Sequence, residues 1–73
     1  MKNIVFLGLN PELSTAIQRH YFKLGYQWAT SNRQVSHINE SILTLSENKR
    51  IQYNYNRRDN NLYIDFRFYT IPF

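Results

Sequence analysis

The chain of 73 residues contains no cysteine, which excludes disulfides and thiolate metal sites. Its only glycines are Gly8 and Gly25, too few for a glycine-rich phosphate loop. The acidic residues Glu12, Glu40, Glu47, Asp59 and Asp65 are scattered and suggest no converging carboxylate pair. His20 and His37 lack the i, i+4 spacing that sets two metal ligands on one helical face. His20 reads instead as a helix residue at the core boundary, and His37 as a loop or strand-edge residue. No serine sits in a Gly-x-Ser-x-Gly elbow. No apolar run approaches the ~18 residues of a membrane helix. The short run Ile4–Leu9 is followed by Asn10-Pro11 and not by a small-residue cleavage site. From these absences we expect a soluble, cytoplasmic protein that is not an enzyme, uses no cofactor or metal and has no membrane partner.

What the chain has in abundance is aromatic surface: six Tyr, five Phe and one Trp, 16% of all residues. At this length one domain is expected, with a core that supplies only about 3–5 kcal/mol of net stability. Aromatic side chains can reinforce such a core or anchor an interface. Association with a partner protein, or with a second copy of the chain, is thus an available source of stability.

The chain is organised around Tyr21-Phe22-Lys23-Leu24-Gly25-Tyr26-Gln27-Trp28. Apolar residues at helical spacing lead up to Gly25, and alternation begins after it. Gly25 is therefore expected to take φ > 0 at a helix end, where glycine has no Cβ penalty. Upstream, residues 3–9 read as a strand covered on both faces in the sheet interior. Asn10 suits an N-cap, Pro11 the first helical position and Glu12 the positive end of the helix dipole. The helix is predicted over 11–24, with Leu13, Ala16, Ile17, Tyr21 and Leu24 inward and Gln18, Arg19 and Lys23 turned away.

Downstream, Thr30 to Arg33 is turn-rich. Val35, Ile38, Ile42 and Leu45 could share a helical face, but the Ser, Thr and Asn content of 36–46 and the β-branched Ile42 and Thr44 favour a strand. Glu47-Asn48-Lys49 predicts a hairpin turn before an alternating strand from Arg50 to Tyr55. After a turn at Arg57–Asn61, a last strand from Leu62 to Thr70 should place Leu62, Ile64, Phe66 and Phe68 under the helix. Tyr63, Asp65, Arg67 and Tyr69 would then lie on the far face. The predicted fold is α+β, with a single helix packed on one face of a mainly antiparallel sheet in the order β-α-β-β-β-β.

Nine Lys and Arg against five Asp and Glu give a net charge of +4 and a pI near 9.7. Tyrosines interleaved with arginines over 50–69 could stack single-stranded bases and pair with phosphates. Lys49-Arg50 and Arg57-Arg58, however, fall at opposite ends of one predicted strand, about 25 Å apart. No signature of a known RNA-binding module accompanies them.

The run from Ile17 to Tyr55 resembles a group of small proteins of tailed bacteriophages. The resemblance is carried by Leu24-Gly25-Tyr26-Gln27-Trp28, Val35-Ser36-His37-Ile38-Asn39, Ile42 to Leu45 and Arg50 to Tyr55. Ile4–Gly8 and Gln27–Thr30 are also similar to the phage antitoxin Dmd, which binds and blocks a host RNase toxin and lacks a counterpart of Leu62–Phe73. These resemblances imply a non-enzymatic phage protein that inhibits or modulates a host protein, whether a defence system, a toxin or a housekeeping factor. The alternative is a small regulator that binds nucleic acid through the basic, tyrosine-rich hairpin. On the expected outer face of the last strand, Tyr63, Arg67 and Tyr69 are the candidate partner-binding residues, with Arg57 and Arg58 at the adjoining turn. Tyr and Arg recur in the energetic centres of protein interfaces.

Overall fold

The computed structural model describes residues 3–53 and 61–68. Strand β1 (Ile4–Leu7) leads into helix α1 (Pro11–Lys23), followed by β2 (Gln27–Trp28), β3 (Leu43–Leu45), β4 (Arg50–Gln52), β5 (Leu62–Asp65) and a 3₁₀ turn over Phe66–Phe68. The expected α+β class and the order of elements both hold.

Both helix ends follow from their capping residues. The Asn10 side chain accepts a hydrogen bond from the Leu13 N–H at 2.8 Å, and Pro11 begins the first turn. At the other end Gly25 has φ +94°. Its N–H donates to the Phe22 carbonyl (3.1 Å), while the Tyr26 N–H donates to the Tyr21 carbonyl (3.0 Å). These are the paired bonds of a Schellman ending, and the apolar contact that accompanies them is Tyr21 against Tyr26, edge-on at 5.1 Å. Lys49 Nζ donates to the Leu24 carbonyl at 3.3 Å, adding a positive charge at the negative end of the helix.

The sheet has the strand order β2-β4-β3-β1-β5. β1 pairs antiparallel with β3 and β3 with β4, whereas β1 pairs parallel with β5 and β4 parallel with β2. Four described strands therefore run one way and β3 alone runs the other. The sheet is mixed, not mainly antiparallel. β4 and β5 do not form the expected hairpin, because they run in the same direction on opposite sides of the β3–β1 pair and a tight turn joins only antiparallel neighbours. The turn between β3 and β4 is as expected, with Lys49 at φ +63° and Ser46 and Arg50 joined through Ser46 N–H to the Arg50 carbonyl at 2.9 Å.

Register and side-chain alternation set Phe6, Leu43, Leu45, Ile51 and Trp28 on the face beneath the helix, where they form the buried cluster. Leu13, Ile17, Tyr21 and Phe22 of α1 pack against it, and Phe6 lies 6.0 Å from Tyr21 between ring centroids. On the opposite face Val5 and Thr44 are also buried, consistent with a β1 covered on both sides in the sheet interior. Trp28 is buried, so it acts as the fold anchor that its place after the glycine suggests.

Two features of the predicted helix face are corrected. Gln18 is fully buried, not turned away, and Ser14 is buried with it. Ala16 and Leu24 are exposed. The inward stripe is thus rotated toward Ser14 and Gln18, because hydrogen bonds there compensate for burial of polar groups.

The last strand is shorter than expected. It ends at Asp65, and Phe66 enters the 3₁₀ turn, where its ring still reaches Phe6 at 6.0 Å. Leu62 lies on the helix-side face but at the edge of the described sheet, and is 48% exposed. The strand from Arg50 is likewise shorter than expected, ending at Gln52 with Tyr53 already in a bend, while residues 54–60, with the expected turn at Arg57, and residues 69–70 lie outside the described residues.

The glycine junction generates a direct test. A Cβ at Gly25 would meet Lys49 Nζ at 3.5 Å, an ordinary contact, so the strain there arises from backbone conformation and not from crowding. Gly25→Val should destabilise by roughly 1–2 kcal/mol, the left-handed backbone penalty. Chemical denaturation measures this as a lower midpoint at unchanged slope.

Candidate functional site

Two surfaces, at opposite edges of the sheet, carry the residues of interest. The first surrounds β5. Tyr63 is 41% exposed beside the half-exposed Leu62, and its hydroxyl accepts a bond from Asn61 Nδ2 at 3.4 Å. Asp65 shares the strand face of Tyr63 by alternation. Arg67, expected two places further along that face, stands instead in the 3₁₀ turn and folds back onto Asp65. Its Nε lies 2.9 Å from Oδ1 and its Nη2 lies 2.6 Å from Oδ2, while the Arg67 N–H donates to Oδ1 at 3.0 Å. This fork is the strong geometry for arginine and carboxylate. The hydrogen bonds from Arg67 hold the Asp65 carboxyl below its ordinary range, and the same contact raises the guanidinium.

The turn is held against Gly8 at φ +70°. A Cβ there would stand 2.6 Å from Arg67 Cγ and 3.0 Å from the Arg67 backbone nitrogen. Only glycine lets the end of β1 approach the end of β5 so closely. Of the five expected partner-binding residues, Tyr63 and Arg67 lie on this one segment. Arg57, Arg58 and Tyr69 fall outside the described residues.

The second surface lies beside β2 and β4 and was not expected. A cavity of about 340 Å³ is lined by Trp28, Asn32, Ser36, His37, Gln52 and Tyr53, among others. It exists because the chain after β2 turns back on itself. The Trp28 N–H donates to the Asn32 carbonyl (2.8 Å), and the Ser31 N–H to the Trp28 carbonyl (2.7 Å), with Ser31 at φ +67°. The Trp28 indole N–H then holds the Gln34 carbonyl at 3.0 Å. His37, at φ +54°, stands edge-on to Trp28 at 5.0 Å and stacks on Tyr53 at 4.4 Å.

Gln18 fixes the wall of this cavity from the helix. Its Nε2 donates to the Ser36 carbonyl at 2.7 Å, and its Oε1 accepts from the Ser36 N–H at 3.0 Å. Nε2 also reaches Ser14 Oγ at 3.0 Å. A side-chain amide thus pairs with one backbone residue as a neighbouring strand would. The signal for this in the sequence was the i, i+4 polar pair Ser14 and Gln18 inside an otherwise apolar stripe.

Among the described residues, no Lys, Arg, Asp or Glu lines the cavity. The ring contacts of His37 are aromatic, an arrangement that suits stacking of a flat group better than proton transfer. Among the described residues no group of three His, Asp or Glu side chains could hold a metal ion. No described helix is long and apolar enough to cross a membrane.

The Asp65–Arg67 fork carries its own pH signature. A carboxyl lowered by its partner contributes fully above its unfolded value, and loses that contribution as pH falls through the folded value. Carboxylate-detected NMR should find Asp65 titrating below an ordinary aspartate in the native chain, and returning toward the ordinary value in Arg67→Ala.

Family models, curated proteins and solved structures yield no match to the chain.

Proposed function

We propose that this protein is a non-enzymatic binding protein of phage type that inhibits or modulates a host protein in the bacterial cytoplasm by occupying its surface. The observation that carries this reading is the pair Leu62 and Tyr63, 48% and 41% exposed on the outermost described strand beside β1. The two side chains leave this edge from opposite faces, Leu62 on the helix side and Tyr63 on the far side, so a partner that seats on the edge can cover both. Arg67 stands two residues beyond β5, already oriented by Asp65. An arginine with a fixed fork loses less freedom on binding than a mobile one. Such an anchor needs no pocket chemistry, only a complementary surface.

The reading is tested with the double variant Tyr63→Ala and Arg67→Ala. Its circular dichroism and melting temperature should stay close to those of the native chain, since both side chains project from the core. Native protein should capture a specific protein from nuclease-treated bacterial lysate, and the variant should lose it. Capture of that partner should weaken little with salt, because an aromatic interface is screened far less than phosphate pairing. Full retention by the folded variant would remove the site. Capture that vanishes with nuclease and falls steeply with salt would replace the host-protein reading with the nucleic-acid one.

A further inference from the structure

The cavity beside β2 and β4 lies at the sheet edge opposite β5, four strand spacings or about 19 Å away. It is therefore independent of the surface assigned above. Its volume of about 340 Å³ falls in the range of small-molecule sites. Three of its side chains present rings: Trp28 buried behind it, and His37 stacked on Tyr53 at the opening. Tyr53 is 45% exposed, so that stack offers a flat surface to solvent.

The polar groups of the cavity are carboxamides with capacity to spare. Asn32 Nδ2 donates to Thr30 Oγ1 at 2.6 Å and Oδ1 accepts from the Gln34 N–H at 3.2 Å. Each amide end keeps a second hydrogen-bonding position. The Gln52 side chain is exposed and has no hydrogen bond with the described residues. A carboxamide presents a donor and an acceptor side by side, the pattern that pairs with the edge of a nucleobase. Among the described lining residues there is no cation, so they would leave the desolvation of an anionic group uncompensated. A neutral ring would not.

We propose that this cavity is a binding site for a neutral nucleobase, stacked on the Tyr53–His37 pair and read along its edge by Asn32 and Gln52. The base can belong to a free nucleoside or to a single strand; both present the same ring. Gln18 is a positioning residue for this site, since its two bonds to Ser36 hold the wall that carries His37.

The test is an NMR titration of the full chain with adenosine, cytidine, guanosine and uridine, and in parallel with a short oligoadenylate and with N-acetyltyrosinamide. At millimolar nucleoside, the Trp28 indole and the side-chain amides of Asn32 and Gln52 should shift together. Tyr53→Ala should weaken binding about tenfold, the loss of one stacking contact. Tyr53→Phe should retain binding, as should Tyr63→Ala at the opposite edge. Equal affinity for adenosine and oligoadenylate supports a free-nucleoside site, and a clear gain for the oligomer supports a base within a strand. Absence of shifts with all four nucleosides overturns the proposal. So does a response to N-acetyltyrosinamide alone, which would make the cavity a socket for a protein side chain. Neither result bears on the Tyr63 and Arg67 surface.

Discussion

The constraint on which the rest depends is the burial of the Gln18 carboxamide. A primary amide taken out of water without partners costs several kcal/mol on apolar transfer scales. Here both of its ends are bonded, to Ser14 and to the backbone of Ser36. The arrangement links helix and loop in both directions. Without the loop the amide would keep only its bond to Ser14, and without the amide the Ser36 backbone would lose the partner for both its groups. Residues 29–42 lie between β2 and β3 without a strand or helix of their own, and Gln18 ties this long loop to α1.

The glycine ending of the helix supplies the other half of the geometry. The bonds from Gly25 and Tyr26 back to Phe22 and Tyr21 set the angle at which the chain leaves α1. That angle delivers Gln27 and Trp28 alongside β4, in parallel register with Arg50 and Ile51. Trp28 then contributes its ring to the core and its indole N–H to the loop. Helix, loop and edge strand meet at one residue. At the opposite edge the same economy of space appears at Gly8, where the turn after β5 rests on a backbone that no side chain could share.

Local chemistry made much of this legible. Asn10-Pro11 marked the helix start and Gly25 its end, because capping depends on a few adjacent residues. The β3–β4 hairpin was readable at Glu47-Asn48-Lys49 for the same reason. Pairing was not legible at β5. Alternation over Leu62–Asp65 states which residues share a face, yet β1 and β4 are both apolar neighbours on which that face could continue, and nothing local chooses between them. The burial of Gln18 was hidden because polarity is ordinarily read as exposure, and its partner at Ser36 is 18 residues away. Of the candidate site, Tyr63 was found through exposure on an alternating strand. The cavity was missed because Trp28, His37 and Tyr53 come together only through the turn at Ser31 and the parallel pairing of β2 with β4.

Native-state hydrogen exchange at the Ser36 amide reads out the link between helix and loop, since that N–H donates to Gln18 in the middle of an otherwise irregular segment. Slow exchange is expected, with an opening free energy close to that of core strand amides such as Leu45, because releasing Ser36 breaks both of its bonds to the Gln18 carboxamide. Exchange as fast as that of a solvent-facing loop amide such as Arg33 would contradict it, and would show that the loop folds and opens independently of the helix.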